Sequence, residues 1–310
     1  MITPLKTAEP VTSTTELSSS IESNRSRIRL YRRPRSDQRT VDEICHHYLV
    51  EKELATRLRT ADKEERKRLY SSTYDEICKR VANIPGWNVP IPAEALKQDV
   101  ANKVAFLRHF ADSSSTFLEI GPGDCSVATA LAEQVGRVIA VDVSAEITRD
   151  IEVPQNFEII ISDGTSIDVP EQSIDVAYSN QLMEHLHPDD ALEQLQNVFR
   201  SLKPGGRYIC VTPSKLSGPH DVSKFFDDTP TGFHLREYST TELATVFHSA
   251  GFSRVNPYVW IKEKLIVLPL FPVKLLESGM RWMPGLFRRY LCNHAPLNHI
   301  LGRVIAVRPH

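Results

Sequence analysis

The residues best suited to chemistry lie in Phe117-Leu-Glu-Ile-Gly-Pro-Gly-Asp-Cys125. A short apolar run enters a turn with glycines at 121 and 123, where a missing side chain lets the backbone bend tightly and approach a ligand. Turns of this kind hold dinucleotides through a G-x-G-x-x-G pattern. Here position 126 is Ser, and Glu119 stands two residues before the first glycine. A carboxylate at that point repels a pyrophosphate and favours a cation. Asp142 ends the next apolar run, where an acid in a doubly wound fold accepts hydrogen bonds from ribose hydroxyls. Ser162-Asp163-Gly164 closes a third run, where an acid can reach the exocyclic amine of adenine. Three acids at successive run ends describe a pocket for a ribonucleoside that carries an ammonium or sulfonium group.

Such acids must be held by strands that all end on one side. Apolar runs at 116–120, 137–141, 158–162, 175–179, 207–212, 255–261 and 302–307 read as seven strands. Helical patterns at 126–135, 145–150, 191–202 and 239–250 separate most of them. Buried strands alternating with helices predict an α/β, doubly wound, mostly parallel seven-stranded sheet of Rossmann-like type. Upstream, Val41, Ile44, Cys45, Tyr48, Ala55 and Leu58 recur at three- and four-residue steps. Asp62 and Glu65 signal the start of a second helix, whose face carries Tyr70, Tyr74, Ile77, Cys78 and Val81. A proline-punctuated, extended stretch at 84–92 leads to a third helix with Leu96, Val100, Val104, Leu107 and Phe110. The expected organisation is a disordered, basic, Ser/Thr-rich tail at 1–40, an N-terminal helical cap at 41–112, a core at 113–260 plus 301–310, and an insertion at 261–300.

Composition narrows the class. In 310 residues, 41% are hydrophobic and 25% charged, which excludes a collagen, a coiled-coil rod and a wholly disordered chain. The 37 basic and 39 acidic residues nearly cancel, so no nucleic-acid partner is expected. Five scattered cysteines without a C-x-x-C pair read as reduced thiols, which points to a cytoplasmic location. The most apolar run, 265–276, contains Pro269, Pro272 and Lys274 and is too short to span a bilayer.

In these motifs the chain resembles the class I S-adenosylmethionine-dependent methyltransferases, particularly the small-molecule group with E-x-G-x-G. The resemblance continues through Val138-Ile-Ala-Val-Asp-Val-Ser144, Ser173-Ile-Asp-Val-Ala-Tyr-Ser-Asn180, Met183-Glu-His-Leu186 and Leu202-Lys-Pro-Gly-Gly206. It implies that S-adenosylmethionine binds with Glu119, Gly121 and Gly123 at its methionine part, Asp142 at the ribose and Asp163-Gly164 at the adenine. Asn180 is then beside the donor. The implied reaction moves a methyl group to an oxygen or nitrogen of a small-molecule acceptor such as a natural product, glycan or lipid-like compound. The base-stacking motif of nucleobase methyltransferases is absent, Ser179-Asn-Gln-Leu182 standing in its place.

A general base, if used, is expected to be a histidine: His185 first, then His220 and His234 on later loops. His185 also belongs to Glu184-His-Leu-His-Pro-Asp-Asp190, whose H-x-H-x-D spacing resembles a zinc-hydrolase pattern. The run has Asp190 where a last histidine is usual, and no second ligand cluster is evident, so no metal is expected. Other readings of that run are a histidine lining the acceptor pocket or a structural loop. Apolar anchors beside cations in 261–300 make the insertion a lid, a homodimer interface or a peripheral membrane-surface element. Two rivals keep the fold with a different function: a nicotinamide-dependent oxidoreductase and a non-catalytic methyltransferase-like binding protein.

Overall fold

Alternation along each strand sends neighbouring side chains to opposite faces, and that alternation builds two cores here. The structure, a computed structural model, describes residues 28, 37–84, 89, 91–145 and 153–310. The tail expected at 1–40, apart from 28 and 37–40, lies outside the described residues, as do 85–88 and 90 of the extended stretch and 146–150 of the helix expected at 145–150. Strands β1 (Thr116–Ile120), β2 (Arg137–Asp142), β3 (Phe157–Ile161), β4 (Ile174–Asn180) and β5 (Leu202–Val211) pair in parallel in the order β3-β2-β1-β4-β5. Then β8 (Arg303–Val307) lies antiparallel to β5, and β6 (Arg254–Ile261) antiparallel to β8.

One face carries Leu118, Ile139, Ala177 and Tyr208 and packs on helices α1 (Val41–Thr60), α2 (Lys63–Arg80), α5 (Pro188–Ser201) and α6 (Thr240–Ser249). The other face, with Phe117, Val138, Tyr178 and Ile209, packs on α3 (Ala93–Leu107) and α4 (Ser126–Ala132). Strand order reverses between β1 and β4, and in such sheets the ligand crevice opens at that switch, beyond the carboxyl ends of the strands. Glu119 on β1, Asp142 closing β2 and Asn180 closing β4 therefore gather at one edge.

Two differences from the sequence reading have clear local causes. An eighth strand, β7 (Lys264–Val267), pairs antiparallel with β6. The turn between them is Lys262-Glu263, with φ of 50° and 59°. A two-residue hairpin needs such angles, but without Gly, Asn or Asp it carries no turn signature. The fifth strand also begins earlier than its apolar run predicts, because Leu202 pairs with Ile174 ahead of a register shift.

The helical cap is fastened by a buried ion pair. Arg66 on α2 donates Nε–H and Nη2–H to both oxygens of Asp190 on α5, at 2.6 and 2.7 Å, and the Tyr70 hydroxyl donates to Asp190 Oδ2 at 2.7 Å. The same Tyr70 oxygen accepts the His187 backbone N–H at 2.9 Å. Beyond β7, α7 (Leu270–Met280) is tied to α6 through Glu277, which accepts the Thr240 and Thr241 amides at 2.7 and 2.9 Å. The outer surface of α7, α8 (Gly285–Cys292) and the turn between them exposes Phe271, Trp282, Leu286, Phe287 and Tyr290. Among the described residues no helix is long and apolar enough to cross a membrane.

Removing one member of a buried pair leaves the other charge without a partner, at a cost of about 3–5 kcal/mol. Asp190→Ala is expected to lose about that much stability in urea unfolding. The double variant Arg66→Met, Asp190→Leu should lose clearly less, since no buried charge is stranded.

Candidate active site

The turn after β1 takes three left-handed residues in alternation: Gly121 (φ 66°), Gly123 (φ 56°) and Cys125 (φ 56°). Glycine adopts this region without strain; Cys125 adopts it with a side chain, buried in the core of the second face. The Gly121 amide donates to the Val141 carbonyl at 2.8 Å, which locks the turn against β2. A Cβ at 121 would press on Leu182 at 3.0 Å, whereas at 123 it would meet open space.

That space is a cavity of about 780 Å³. Its floor is the strand edge, with Glu119, Gly121, Gly123, Asp142, Ser162, Gly164, Asn180 and His185. Its roof comes from the helical cap, with Tyr70, Tyr74 and Cys78 of α2 and Leu96, Asp99 and Lys103 of α3. These roof residues were not foreseen as site residues. Their signal was present as the faces of the second and third helices, but a helix face that covers a ligand and one that covers a core share the same period. No residue of 261–300 lines the cavity, so the lid expected of the insertion is not formed there.

Glu119 is buried, and its Oε2 has no hydrogen-bond partner among the described residues. Burial pushes its carboxyl up to about 8, against the opposing charge of Lys103. Asp142 is also buried and pushed up by desolvation, while the amides of Ser144, Gly123 and Val143 pull the other way; Ser144 N–H donates to Oδ1 at 2.9 Å.

Asp163 departs from its expected role. It does not line the cavity, and its carboxylate accepts from the backbone of Thr165 and Ser166 at 2.9 and 2.7 Å, from both of their hydroxyls, and from Lys67 at 3.0 Å. These hydrogen bonds, outweighing burial, hold it far below the usual carboxylate range. Asp163 thus braces the loop and ties it to α2, and Gly164 beside it is the member that reaches the cavity.

The histidines separate in the same way. Only His185 lines the cavity. Its Nδ1–H donates to the Phe233 carbonyl at 3.1 Å, and its ring meets Tyr74 edge-on at 6.0 Å and His234 at 5.0 Å. Burial, with the nearby His234, pushes its pKa down to about 3. His234 lies behind it, buried, with Nδ1 on Glu237 Oε1 at 2.7 Å; Glu237, Glu184 and Asp221 push it up to about 9 against desolvation. His220 is turned away, its Nε2 between the Ser217 hydroxyl at 2.9 Å and the Ser214 carbonyl at 3.2 Å. Asp190, which follows the H-x-H-x-D of His185, His187 and Asp189, is consumed by Arg66 and Tyr70.

Residues 93–256 match the model of the methyltransferase-domain family. A probable S-adenosylmethionine-dependent methyltransferase of Mycolicibacterium smegmatis is 29% identical over 136 residues, covering 44% of this chain and 51% of that protein. Phosphoethanolamine N-methyltransferase 1 of Triticum aestivum is 28% identical over 196 residues, covering 54% and 39%. The chain therefore spans about half the length, or less, of these curated relatives. A Haloferax volcanii methyltransferase solved with its activator superposes with a TM-score of 0.50 at 18% identity, covering 70% of this chain and 92% of the other, which shows a shared fold.

An acid whose pKa is raised by folding stabilises the protein only while protonated. The contribution of Glu119 is complete below its unfolded value and is lost as pH rises toward about 8. In the ligand-free protein, Glu119→Gln should raise the melting temperature over wild type at pH 8 by several degrees. The gap should shrink toward zero at pH 5, as scanning calorimetry at the two pH values will show.

Proposed function

This chain belongs to the methyltransferase-domain family, and on that premise we propose that it transfers a methyl group from S-adenosylmethionine to an oxygen or nitrogen of a small-molecule acceptor. One observation carries the reading: a buried carboxylate, Glu119, with an oxygen lacking a partner among the described residues, beside a glycine turn whose Gly123 opens onto the cavity. A pyrophosphate placed there would meet that carboxylate, which argues against the nicotinamide alternative.

When bound, S-adenosylmethionine supplies a methyl group activated by a positively charged sulfur. Glu119 and the Gly121–Gly123 backbone take its cationic amino-acid end. Asp142 accepts from the ribose hydroxyls, and Gly164 leaves room at the adenine end. Asn180 lies between the donor and the acceptor side, where Tyr74, Leu182, Leu186 and His185 form the wall. The cap helices close over both and keep water from the reacting atoms.

The chain contributes chiefly by alignment, and holding two reactants in line can remove about 7–11 kcal/mol of barrier. His220 and His234 stand outside the cavity, so neither reaches an acceptor proton from its present position. His185 presents a neutral ring whose Nδ1 is already committed to Phe233. Histidine base catalysis is therefore no part of this reading.

Asp142→Ala is expected to weaken S-adenosylmethionine binding by about 1.5–3 kcal/mol, the range for hydrogen bonds to a charged group. Wild-type affinity should rise between pH 6 and 8, because Glu119 must lose its proton to pair with the ammonium. Glu119→Gln should bind more weakly and lose that rise. Calorimetric titration of the three proteins checks both points, and unchanged affinity in a folded Asp142→Ala would remove that residue from the site. Turnover of labelled donor with an acceptor panel then separates catalysis from binding alone.

A further inference from the structure

We propose that Glu184, His185 and His234 bind one divalent transition-metal ion, with zinc the ion best matched by the donors, at the acceptor side of the cavity. Each of the three offers a ligand atom within 4.8 Å of the other two. Zinc bonds of about 2.0–2.2 Å place donors about 3.4 Å apart in a tetrahedron, so the triad tightens around the ion through side-chain rotation. Two imidazoles and a carboxylate form a donor set of catalytic zinc sites, in which a fourth position stays open. His185 lines the cavity, so that open position faces whatever the cavity holds.

The groups behind the ligands carry the argument further. A histidine that ligates a metal nearly always donates its other ring N–H to a carbonyl or carboxylate, which fixes tautomer and orientation. Both rings are held this way: His185 Nδ1–H donates to the Phe233 carbonyl at 3.1 Å, and His234 Nδ1–H to Glu237 Oε1 at 2.7 Å. In each ring Nε2 is the nitrogen left for the ion. Glu184 is fully buried; its Oε2 accepts from the Thr212 hydroxyl at 2.8 Å, and its Oε1 has no partner among the described residues.

A metal-free network of histidine and acid would pair Glu184 Oε1 with the neighbouring His234 ring. Among the described residues that oxygen has no partner in the interior, where an unmet acceptor costs about 1–3 kcal/mol. Glu237, whose Oε1 accepts from His234 Nδ1, adds a carboxylate behind that ring. Ligation requires the neutral ring, with Nε2 given to the ion.

The ligand set differs from the one suggested by the local H-x-H-x-D spacing. His187 caps α5, accepting the Asp189 amide, and Asp190 is bound by Arg66 and Tyr70. The second imidazole comes instead from the loop after β5, which folds back against the 3₁₀ turn Met183–His185.

The test uses the untagged full chain, stripped with a chelator, dialysed, and titrated with Zn(II) by calorimetry and with Co(II) by absorption. The expected result is one ion per chain and a cobalt spectrum of nitrogen and oxygen ligation with no thiolate charge-transfer band. Glu184→Gln and His234→Gln should each weaken binding at least roughly 100-fold. Glu237→Gln, which alters only the positioning of His234, should weaken it roughly 10–100-fold. His187→Gln should bind as wild type does. Wild-type protein that takes up no stoichiometric ion overturns the proposal, whether or not the variants fold. A thiolate band, or loss of binding in His187→Gln with retention in a folded His234→Gln, overturns it equally. None of these readings involves S-adenosylmethionine, so the metal site and the methyl-donor site stand or fall separately.

Discussion

The contact of Arg66 with Asp190 is the constraint on which the site depends. It joins α2, one of the two cap helices that reach over the strand edge, to the helix that follows β4, and it does so with a bidentate pair buried on both sides. Planar guanidinium and planar carboxylate meet in one geometry, so the pair sets the angle as well as the distance between cap and core. Tyr70, one turn along α2, donates to the same carboxylate and accepts the His187 amide. Its ring then lies so close to residue 164 that a Cβ there would come within 2.8 Å of it, at a backbone φ of 92° that glycine tolerates. One further turn of α2 brings Tyr74 over His185 and against Phe233. The α2 part of the cavity roof, the loop at Gly164 and the wall at His185 are all referred to one ion pair.

Hydrogen-bond satisfaction, rather than acidity or position in a motif, sorts the acids of this fold. Asp163 and Asp190 sit in runs that suggest ligands, yet each has its oxygens filled by the chain itself. Such acids stabilise loops and helix contacts and have little capacity left for a ligand. Glu119 and Glu184 each keep one oxygen without a partner among the described residues, and each does so in the interior. An unsatisfied buried acceptor is costly and is tolerated where a bound group completes it. Glu119 lines the cavity, and Glu184 adjoins His185, which lines it too.

The histidines show why a residue type alone does not assign a role. All three candidates follow strands whose carboxyl ends face the crevice, yet their partners divide them. His220 is held by two serines of its own loop, His234 is tied to Glu237 behind the wall, and His185 alone reaches the cavity. Their distinct environments drive their proton affinities in opposite directions from a common starting point: down at His185 and up at His234.

The sequence by itself determined what depends on neighbours along the chain. Short apolar runs placed seven of the eight strands, D-x-x-E placed the start of α2, and the glycine turn with Glu119 and Asp142 pointed to the stretch of strand edge that lines the cavity. These features are short-range: an apolar run, a helix cap and a tight turn are settled by residues a few positions apart. Tertiary structure alone decided which acids remain open, which helix face roofs the cavity, and which histidine joins Glu184 and His185. Tyr70 and Tyr74 meet the strand edge only because Arg66 finds Asp190, 124 positions away. His234 joins the turn of His185 only because its loop folds back so that the Phe233 carbonyl, 48 positions on, accepts from that ring. Hydrogen bonds across such separations leave no periodic trace in a sequence, because nothing in the local pattern changes when a side chain's partner comes from a distant element.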